Sequence, residues 1–141
     1  FKLNIPGPQK INDENLKIFH LGKEQIKKSI ASTNILYESS KSDFTGPEYF
    51  IVSNIDAYDL KKKMLDIEEN SYFGRLYDID VIYKDENITR KMIGGPSRKC
   101  FLCDNDAKAC ARSRNHSVDE MIIWIETIID DYQGDLWKKE R

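Results

Sequence analysis

The segment that most constrains the fold is residues 73–83, which read Phe-Gly-Arg-Leu-Tyr-Asp-Ile-Asp-Val-Ile-Tyr. The segment is rich in branched and aromatic residues and is entered through a glycine, which predicts an extended strand. Side chains alternate between the faces of a strand, so Asp78 and Asp80 share one face while Ile79 and Val81 share the other. The second face is apolar enough to be buried, and the first carries two carboxylates about 7 Å apart along the backbone.

Like charges at adjacent same-face positions repel each other, so a strand selected only for stability would seldom contain them. A divalent cation turns this repulsion into coordination, and Mg²⁺ prefers oxygen ligands. Asp78 and Asp80 are therefore predicted to bind a metal during phosphoryl or nucleotidyl transfer, where the ion neutralises charge that develops on phosphate oxygens. The alternative is that the two carboxylates are merely exposed on a surface strand.

Composition places the chain among ordinary globular proteins. Its 141 residues suffice for one domain, residues 1–141, and 40% hydrophobic with 33% charged residues allows a real core. No apolar run approaches the ~20 residues of a membrane-spanning helix, so no membrane partner is expected. The net charge of −2 argues against a general nucleic-acid surface. The chain starts without Met in a strand-like segment, so an N-terminal portion is expected to be missing.

The order of elements predicts an α+β, or mixed α/β, domain with a small mixed or antiparallel sheet flanked by helices. The first half is interpreted as a strand at 1–5 and a helix capped by Asp13. A polar loop is predicted over 31–47. The apolar run at 49–55 then predicts a strand buried in the centre of the sheet.

The middle of the chain predicts a helix and a hairpin. Asp56 is expected to cap the helix, and its lysines at 61–63 are expected to turn mostly outward. After the aspartate strand, the polar residues 84–87 turn the chain back into a second strand at 88–93. This hairpin places Arg90 on the neighbouring strand, within reach of whatever the aspartates hold.

Two helices complete the predicted order. A short one starts at Asp104 or Asn105. Residues 117–120, Ser-Val-Asp-Glu, have the form of a capping box that opens a long helix with a broad apolar face. Trp124 borders that face and is expected to pack against the core.

A cysteine cluster, C-x2-C-x6-C-x5-H, is formed by Cys100, Cys103, Cys110 and His116. Three thiolates and one imidazole are compatible with a closed, structural zinc site. The alternatives are three packed, reduced cysteines, or a Cys110 nucleophile with His116 as its base. Cysteines confined to one stretch argue against a secreted disulfide framework, so a reducing cytoplasm is expected.

Basic residues are concentrated in the same region, because residues 98–114 contain five of them against two acidic residues. Such a patch suits a small polyphosphate better than a long duplex. Arginine presents a fork of donors that matches phosphate oxygens. The arginines near the aspartates in sequence or predicted topology are Arg75, Arg90, Arg98, Arg112 and Arg114.

Motifs spread over nearly the whole chain add a further indication. They are residues 3–8 (Leu-Asn-Ile-Pro-Gly-Pro), 46–48 (Gly-Pro-Glu), 74–81 with both aspartates, Arg90, and 96–116 with the cysteines, Ala107, Arg112 and Arg114. In this order they resemble the CitX-type holo-acyl-carrier-protein synthases of citrate lyase. The resemblance also supports a missing N-terminal segment.

The resemblance implies a phosphoribosyl-dephospho-CoA transferase. Such an enzyme attaches 2′-(5″-phosphoribosyl)-3′-dephospho-CoA to a serine of the citrate lyase acyl carrier protein, its gamma subunit. The donor is triphosphoribosyl-dephospho-CoA, and diphosphate leaves. By this interpretation Asp78 and Asp80 hold Mg²⁺ across the triphosphate and act together with Arg90. The residues expected to contact the donor are Gly74, Arg75, Arg98, Arg112, Arg114 and His116, and His116 leaves this group if it is a zinc ligand.

The fold implied by analogy is nucleotidyltransferase-like, although the gap from Gly74 to Asp78 is shorter than is usual there. Such enzymes use a third carboxylate, for which Glu48, Asp56 and Glu86 are candidates. Two other functions stay open at this point. One is a zinc-stabilised, non-catalytic protein-binding module, and the other is a nucleotidyltransferase that acts on another carrier protein or a plain nucleotide.

Overall fold

The computed structural model describes residues 1–132, which form an α+β fold of the predicted class. Four antiparallel strands make the main sheet, and a separate hairpin and four helices surround it. The last nine residues of the predicted domain lie outside the described part. The strands are β1 (Lys2–Leu3), β2 (Ile35–Asp43), β3 (Gly46–Ser53), β4 (Tyr77–Asp78), β5 (Ile82–Tyr83) and β6 (Glu86–Asn87); the helices are α1 (Asp13–Ser29), α2 (Ala57–Asn70), α3 (Ala107–Ser113) and α4 (Val118–Asp130).

Helix α1 begins at Asp13, but its capping residue is Asn12, one position before the predicted cap. The Asn12 side chain accepts a hydrogen bond from the backbone N–H of Asn15 at 2.8 Å. Ile18 is fully buried on the core side of the helix. Burial of a side chain of this size contributes about 1.5–3 kcal/mol. The core lies between this helix, α2, α4 and the sheet.

The loop predicted over 31–47 is wrong, because β2 occupies most of it. This strand pairs with β3 from Asp43 opposite Gly46 to Ile35 opposite Ser53. It is the edge strand of the sheet, in the order β2-β3-β1-β4, and most of its side chains are exposed. The strand lacks the apolar pattern from which strands are predicted, because the backbone pairing of an edge strand does not require apolar side chains.

Strand β3 was predicted as a buried central strand, and it is internal in the sheet but open on one face. Tyr49 is buried, whereas Phe50 and Val52 are about half exposed. The alternation shows that only one face of the sheet is covered by helices at this point.

Helix α2 is capped by Asp56 as predicted, since its Oδ1 accepts hydrogen bonds from the N–H groups of Tyr58 and Asp59. The outward orientation predicted for the lysines is wrong for Lys61, which is buried and donates to the carbonyl of Ile79 at 3.2 Å. Desolvation by burial lowers the pKa of the Lys61 ammonium. The helix thus faces the aspartate segment with a charged group.

The aspartate segment is not the continuous strand predicted for 73–83. A 3₁₀ turn occupies Gly74–Leu76, and only the two residues of β4 pair, with the equally short β1. Gly74 permits this turn, because a Cβ there would lie 2.2 Å from the carbonyl oxygen of Glu68. The predicted alternation is confirmed beyond the strand: Ile79 and Val81 are buried, and the aspartates are more accessible.

A hairpin does follow the aspartates, but it is formed by β5 and β6 with Lys84 and Asp85 as a two-residue turn, so residues 86–87 belong to its second strand and not to the turn predicted over 84–87. Both turn residues have positive φ, 51° and 62°, as a type I′ hairpin turn requires. The second strand predicted at 88–93 is wrong, since pairing stops at Asn87 and a 3₁₀ turn follows at Lys91–Ile93. The next turn, at Gly94, ends regular structure before the cysteines.

Helix α3 begins at Ala107 with Asp106 as its cap, later than the predicted Asp104 or Asn105. The capping box of Ser117 and Glu120 that opens α4 is confirmed. Trp124 packs against the core as expected. Within residues 1–132, no helix is long and apolar enough to cross a membrane.

Candidate active site and metal cluster

The two predicted metal-binding aspartates lie at the end of β4 and just beyond it. Asp78 is partly accessible and has two cationic neighbours, Lys2 Nζ and Arg98 Nη2, each 3.8 Å from a carboxylate oxygen. Asp80 is exposed. Within residues 1–132, no side-chain cation lies within 4.0 Å of its carboxylate. Both carboxylates therefore have oxygen atoms available to a metal ion.

The backbone between these aspartates is held by Glu68, a residue that sequence reasoning missed. Its side chain is 2% exposed. Oε1 accepts hydrogen bonds from the Ile79 N–H at 2.9 Å and from Arg98 Nη2 at 3.0 Å, while Oε2 accepts from Arg90 Nη2 at 2.5 Å. We call Glu68, Arg90 and Arg98 the Glu68 cluster. One buried carboxylate thus links α2, the aspartate segment and two arginines.

A signal for Glu68 does exist in the sequence. Glu68 follows Lys61 by seven positions and Met64 by four, so the three residues lie on one stripe of α2. Met64 is an obvious core residue, and a carboxylate on the same stripe is expected to be buried with a partner. The partners lie 22 and 30 residues away, which periodicity cannot reveal.

Arg98 lies where the sequence interpretation expected it, beside Asp78. Its Nη1 also donates to the carbonyl of Tyr77 at 2.8 Å, so the guanidinium is held by β4 and by Glu68 together. Arg90, by contrast, lies in the turn after the hairpin and is paired with Glu68 and Glu69. Arg90 approaches the aspartates only through Glu68.

Arg75 connects the aspartate segment to the cysteines. Its Nη1 donates to the carbonyls of Cys100 and Phe101 at 2.8 and 3.0 Å, and Nη2 lies 3.2 Å from Asp104 Oδ1. We call residues 98–106 the cysteine loop. The loop is therefore anchored at its start by Arg98 and in its middle by Arg75.

The four predicted zinc ligands come together in space. One donor atom from each of Cys100, Cys103, Cys110 and His116 lies within 4.8 Å of the others. Cys103 Sγ is 3.4 Å from Cys110 Sγ and 3.5 Å from His116 Nε2. A tetrahedral ion with about 2.3 Å zinc–sulfur bonds holds its sulfurs about 3.8 Å apart, which matches this spacing.

The thiol environments differ within the cluster: the side-chain hydrogen bond with Cys103 raises the pKa of the Cys110 thiol, whereas the pKa of the Cys100 thiol is lowered. Burial acts to raise the pKa of the Cys100 thiol, but hydrogen bonds from the backbone of Leu102 and Cys103 outweigh it and lower the pKa. The other function considered for these residues, a Cys110 nucleophile with His116 as base, needs a hydrogen bond between the two. His116 Nε2 makes its contact with Cys103 instead.

A cleft of about 630 Å³ opens between the cysteine loop and the start of α4. Arg98, Arg114 and His116, three of the residues expected to contact the donor, line it. Arg112 does not line this cleft, and its Nε donates instead to the carbonyl of Lys108. Asp80 lines a different groove of about 340 Å³ over β3. Arg98 is thus the link between the large cleft and the aspartates.

The candidates for a third carboxylate are separated by the structure. Glu48 stands opposite Lys2 on β3, and Lys2 also stands opposite Asp78 on β4, so the three share one face of the sheet. Asp56 is occupied as the cap of α2, and Glu86 is exposed on the hairpin. Glu48 is therefore the candidate that lies in the same sheet as Asp78.

Comparison with known proteins shows similarity over nearly the whole chain. Residues 1–132 match the model of a family described as CitX, apo-citrate lyase phosphoribosyl-dephospho-CoA transferase. A protein from Streptococcus pyogenes serotype M3, named as a probable apo-citrate lyase phosphoribosyl-dephospho-CoA transferase, is 35% identical over 92% of this chain and 70% of its own length. A protein of the same name from Vibrio cholerae serotype O1 is 38% identical over 94% of this chain and 76% of its own length.

Proposed function

The chain belongs to the CitX family of transferases, and from this premise we propose that it attaches 2′-(5″-phosphoribosyl)-3′-dephospho-CoA to a serine of the citrate lyase acyl carrier protein. The donor is triphosphoribosyl-dephospho-CoA. The serine oxygen forms a bond to the phosphorus attached to the ribose, the bond from that phosphorus to the other two phosphates breaks, and diphosphate leaves with the serine proton released. A reducing cytoplasm is the compartment that suits the free thiols.

The observation that carries this assignment is the grouping of Asp78, Asp80 and Arg98 around a backbone that Glu68 holds in place. Transfer of a phosphoryl group needs positioning and charge stabilisation more than covalent participation by the protein. A buried carboxylate that fixes both an arginine and the backbone between two aspartates supplies positioning of this kind.

Asp78 and Asp80 are the residues that would hold Mg²⁺. They fit the ion because both offer accessible oxygen atoms, and within residues 1–132 no side-chain cation lies within 4.0 Å of the Asp80 carboxylate. When bound, Mg²⁺ supplies neutralisation of charge on the phosphate oxygens. Of the three candidates for a third carboxylate, Glu48 shares a sheet face with Asp78 across β1, but it pairs with Lys41 at 3.4 Å.

The arginines take different parts in the proposed site. Arg98 contacts donor phosphate oxygens directly, since it lies between Asp78 and the large cleft. Gly74 and Arg75 line a small pocket that Arg98 also lines, and they contact the donor there. Arg90 orients Glu68 and completes the charge of that pocket. Arg114 reaches the donor through the large cleft, which His116 lines as a member of the cysteine cluster.

The cysteine cluster is proposed to hold a structural Zn²⁺. Three sulfurs and one imidazole nitrogen, all within 4.8 Å, fit a closed tetrahedral site that leaves no ligand position for substrate. Because the ligands at 100 and 103 belong to the cysteine loop, the ion would fix the loop that carries Arg98.

The function is tested by incubating the full chain with apo acyl carrier protein of citrate lyase, triphosphoribosyl-dephospho-CoA and Mg²⁺. Mass spectrometry is expected to show one phosphoribosyl-dephospho-CoA group added to the carrier serine, with one diphosphate released. A carrier with serine replaced by alanine is the control.

Two other outcomes would contradict the proposal. An unmodified citrate lyase carrier beside a modified carrier of another system would identify a transferase with a different acceptor. Stoichiometric zinc without any diphosphate release would identify a non-catalytic module.

A further inference from the structure

The cleft beside the cysteine loop has the size and lining of a small-molecule site. Its volume of about 630 Å³ lies inside the range of about 300–1,000 Å³ that is typical of ligand pockets. Apolar side chains come from separate parts of the chain: Pro6 after β1, Phe101 in the cysteine loop, and Val118 and Met121 in α4. The Phe101 ring is stacked on Trp124 at 5.7 Å, which restricts its orientation. An aromatic base suits such a lining.

Apart from Cys100, Cys110 and His116 of the cysteine cluster, the ionisable side chains that line the cleft are all basic. They are Arg98, Lys99 and Arg114, and within residues 1–132 no aspartate or glutamate lines it. Arg98 is held by Glu68, but in the described chain no carboxylate lies within 4.0 Å of Lys99 or Arg114. Unneutralised cations at an apolar cleft, in a chain of net charge −2, indicate an anionic ligand with an apolar part.

Arg98 joins this cleft to the aspartates, because it lines the cleft and lies 3.8 Å from Asp78 Oδ1. In the proposed donor, the ribosyl triphosphate is attached to the 2′ oxygen of the adenosine. The adenosine is therefore one ribose away from the reacting phosphate, whereas the pantetheine arm is further away, beyond the 5′ diphosphate.

We propose that this cleft binds the adenosine diphosphate portion of the dephospho-CoA donor. The base lies against the apolar lining, and the 5′ diphosphate lies at Lys99 and Arg114. This inference rests on the proposed function and states which part of the donor the cleft holds. The pantetheine arm leaves the cleft beyond the diphosphate.

The test measures binding of 3′-dephospho-CoA to the full, zinc-loaded chain by calorimetry. Two exposed alanines on α3 make a matched pair, since Ala111 lines the cleft and Ala109 does not. Ala111→Trp fills the cleft and is expected to weaken binding by about tenfold or more, whereas Ala109→Trp stays within about twofold of the parent. Equal affinities for the two variants would overturn the assignment.

A second pair of variants avoids large side chains. Lys99→Gln removes a cation from the cleft, and Lys108→Gln removes an exposed one that does not line it. Binding is expected to weaken by about tenfold for the first, because a charge-assisted contact is lost, and to stay unchanged for the second. Equal loss in both variants would indicate a general charge effect and would contradict the proposed site.

Competition identifies the part of the donor that is bound. Adenosine diphosphate is expected to displace dephospho-CoA, while 4′-phosphopantetheine is not. Displacement by phosphopantetheine alone would assign the cleft to the arm and overturn the inference. Suppose that both pairs of variants differ in dephospho-CoA binding as expected, but the carrier protein is not modified. This result would support the nucleotide cleft and reject the proposed reaction instead.

Discussion

The Glu68 cluster contacts the segment that carries Asp78 and Asp80 directly, and the cysteine cluster is joined to it through Arg75, but the two clusters are completed in different ways. In the Glu68 cluster, one buried carboxylate is matched by two arginines of the same chain. In the cysteine cluster, three sulfurs and an imidazole nitrogen converge without any cation of the described chain among them. Folding alone completes the first, whereas the second has donor atoms that could hold a metal ion. A substitution should therefore disrupt one, and a chelator the other.

The largest effect is expected from Glu68→Gln. The change leaves Arg90 and Arg98 without their buried carboxylate, and breaking such a pair costs about 3–5 kcal/mol. Urea unfolding measures the loss of free energy. Glu69→Gln is the control, because that partly exposed carboxylate pairs only with Arg90 and its loss should cost about 0–1 kcal/mol. Similar small losses for both variants would show that Glu68 does not hold the segment.

Removal of zinc is the corresponding test of the cysteine cluster. Zinc at a thousandfold excess over its dissociation constant stabilises the folded chain by about 4 kcal/mol, so a chelator should lower the midpoint of thermal unfolding. Elemental analysis should find one zinc per chain. The chain has two histidines: His116→Gln is expected to lose the metal and His20→Gln to keep it. Equal zinc content in both variants would rule out His116 as a ligand.

Asp78→Asn and Asp80→Asn test directly whether the two aspartates hold the metal. Loss of a carboxylate that would hold the charge-neutralising Mg²⁺ should reduce Mg²⁺-dependent transfer by about 10²–10³-fold without changing the unfolding midpoint. Asp85→Asn in the hairpin turn is a suitable control, since asparagine tolerates the positive φ of 62°. Normal transfer by either aspartate variant would refute the metal assignment.

The smallest effect separates two arginines of the same cluster. Arg98→Ala should weaken donor binding by about 1.5–3 kcal/mol, because a charge-assisted contact to phosphate is lost. Arg90→Ala should weaken binding by less, since Arg90 does not line the large cleft and contacts Glu68 and Glu69 instead. Calorimetry with the donor compares the two variants, and an unchanged affinity in both would count against the arginine roles.

The two clusters also differ in how well the sequence predicts them. The proposed zinc ligands span only residues 100–116, so their spacing alone indicates a common site. Glu68 meets Arg90 and Arg98 through tertiary packing. The prediction that the lysines of α2 turn outward therefore missed the buried contacts of Lys61 and of Glu68. A site whose ligands are close in sequence can be predicted from their spacing, whereas buried charge pairs depend on contacts between segments that are distant in sequence.

The same distinction applies to the fold. Helix α4 was predicted because its capping box and apolar face are local signals. Strand β2 was missed because its side chains are mostly solvated and its order comes from pairing with β3. The continuous strand predicted for 73–83 was wrong because its only partner on the main sheet, β1, is two residues long.

The amide of Ile79 gives these contacts a kinetic consequence. Its proton is donated to a carboxylate that is almost fully buried, so it exchanges with deuterium only when that hydrogen bond opens. Because the same carboxylate oxygen also accepts from Arg98, exchange at Ile79 reports how often the contact between Glu68 and the aspartate segment opens. The exchange rate of one backbone proton therefore measures how firmly Glu68 holds the segment between the two aspartates.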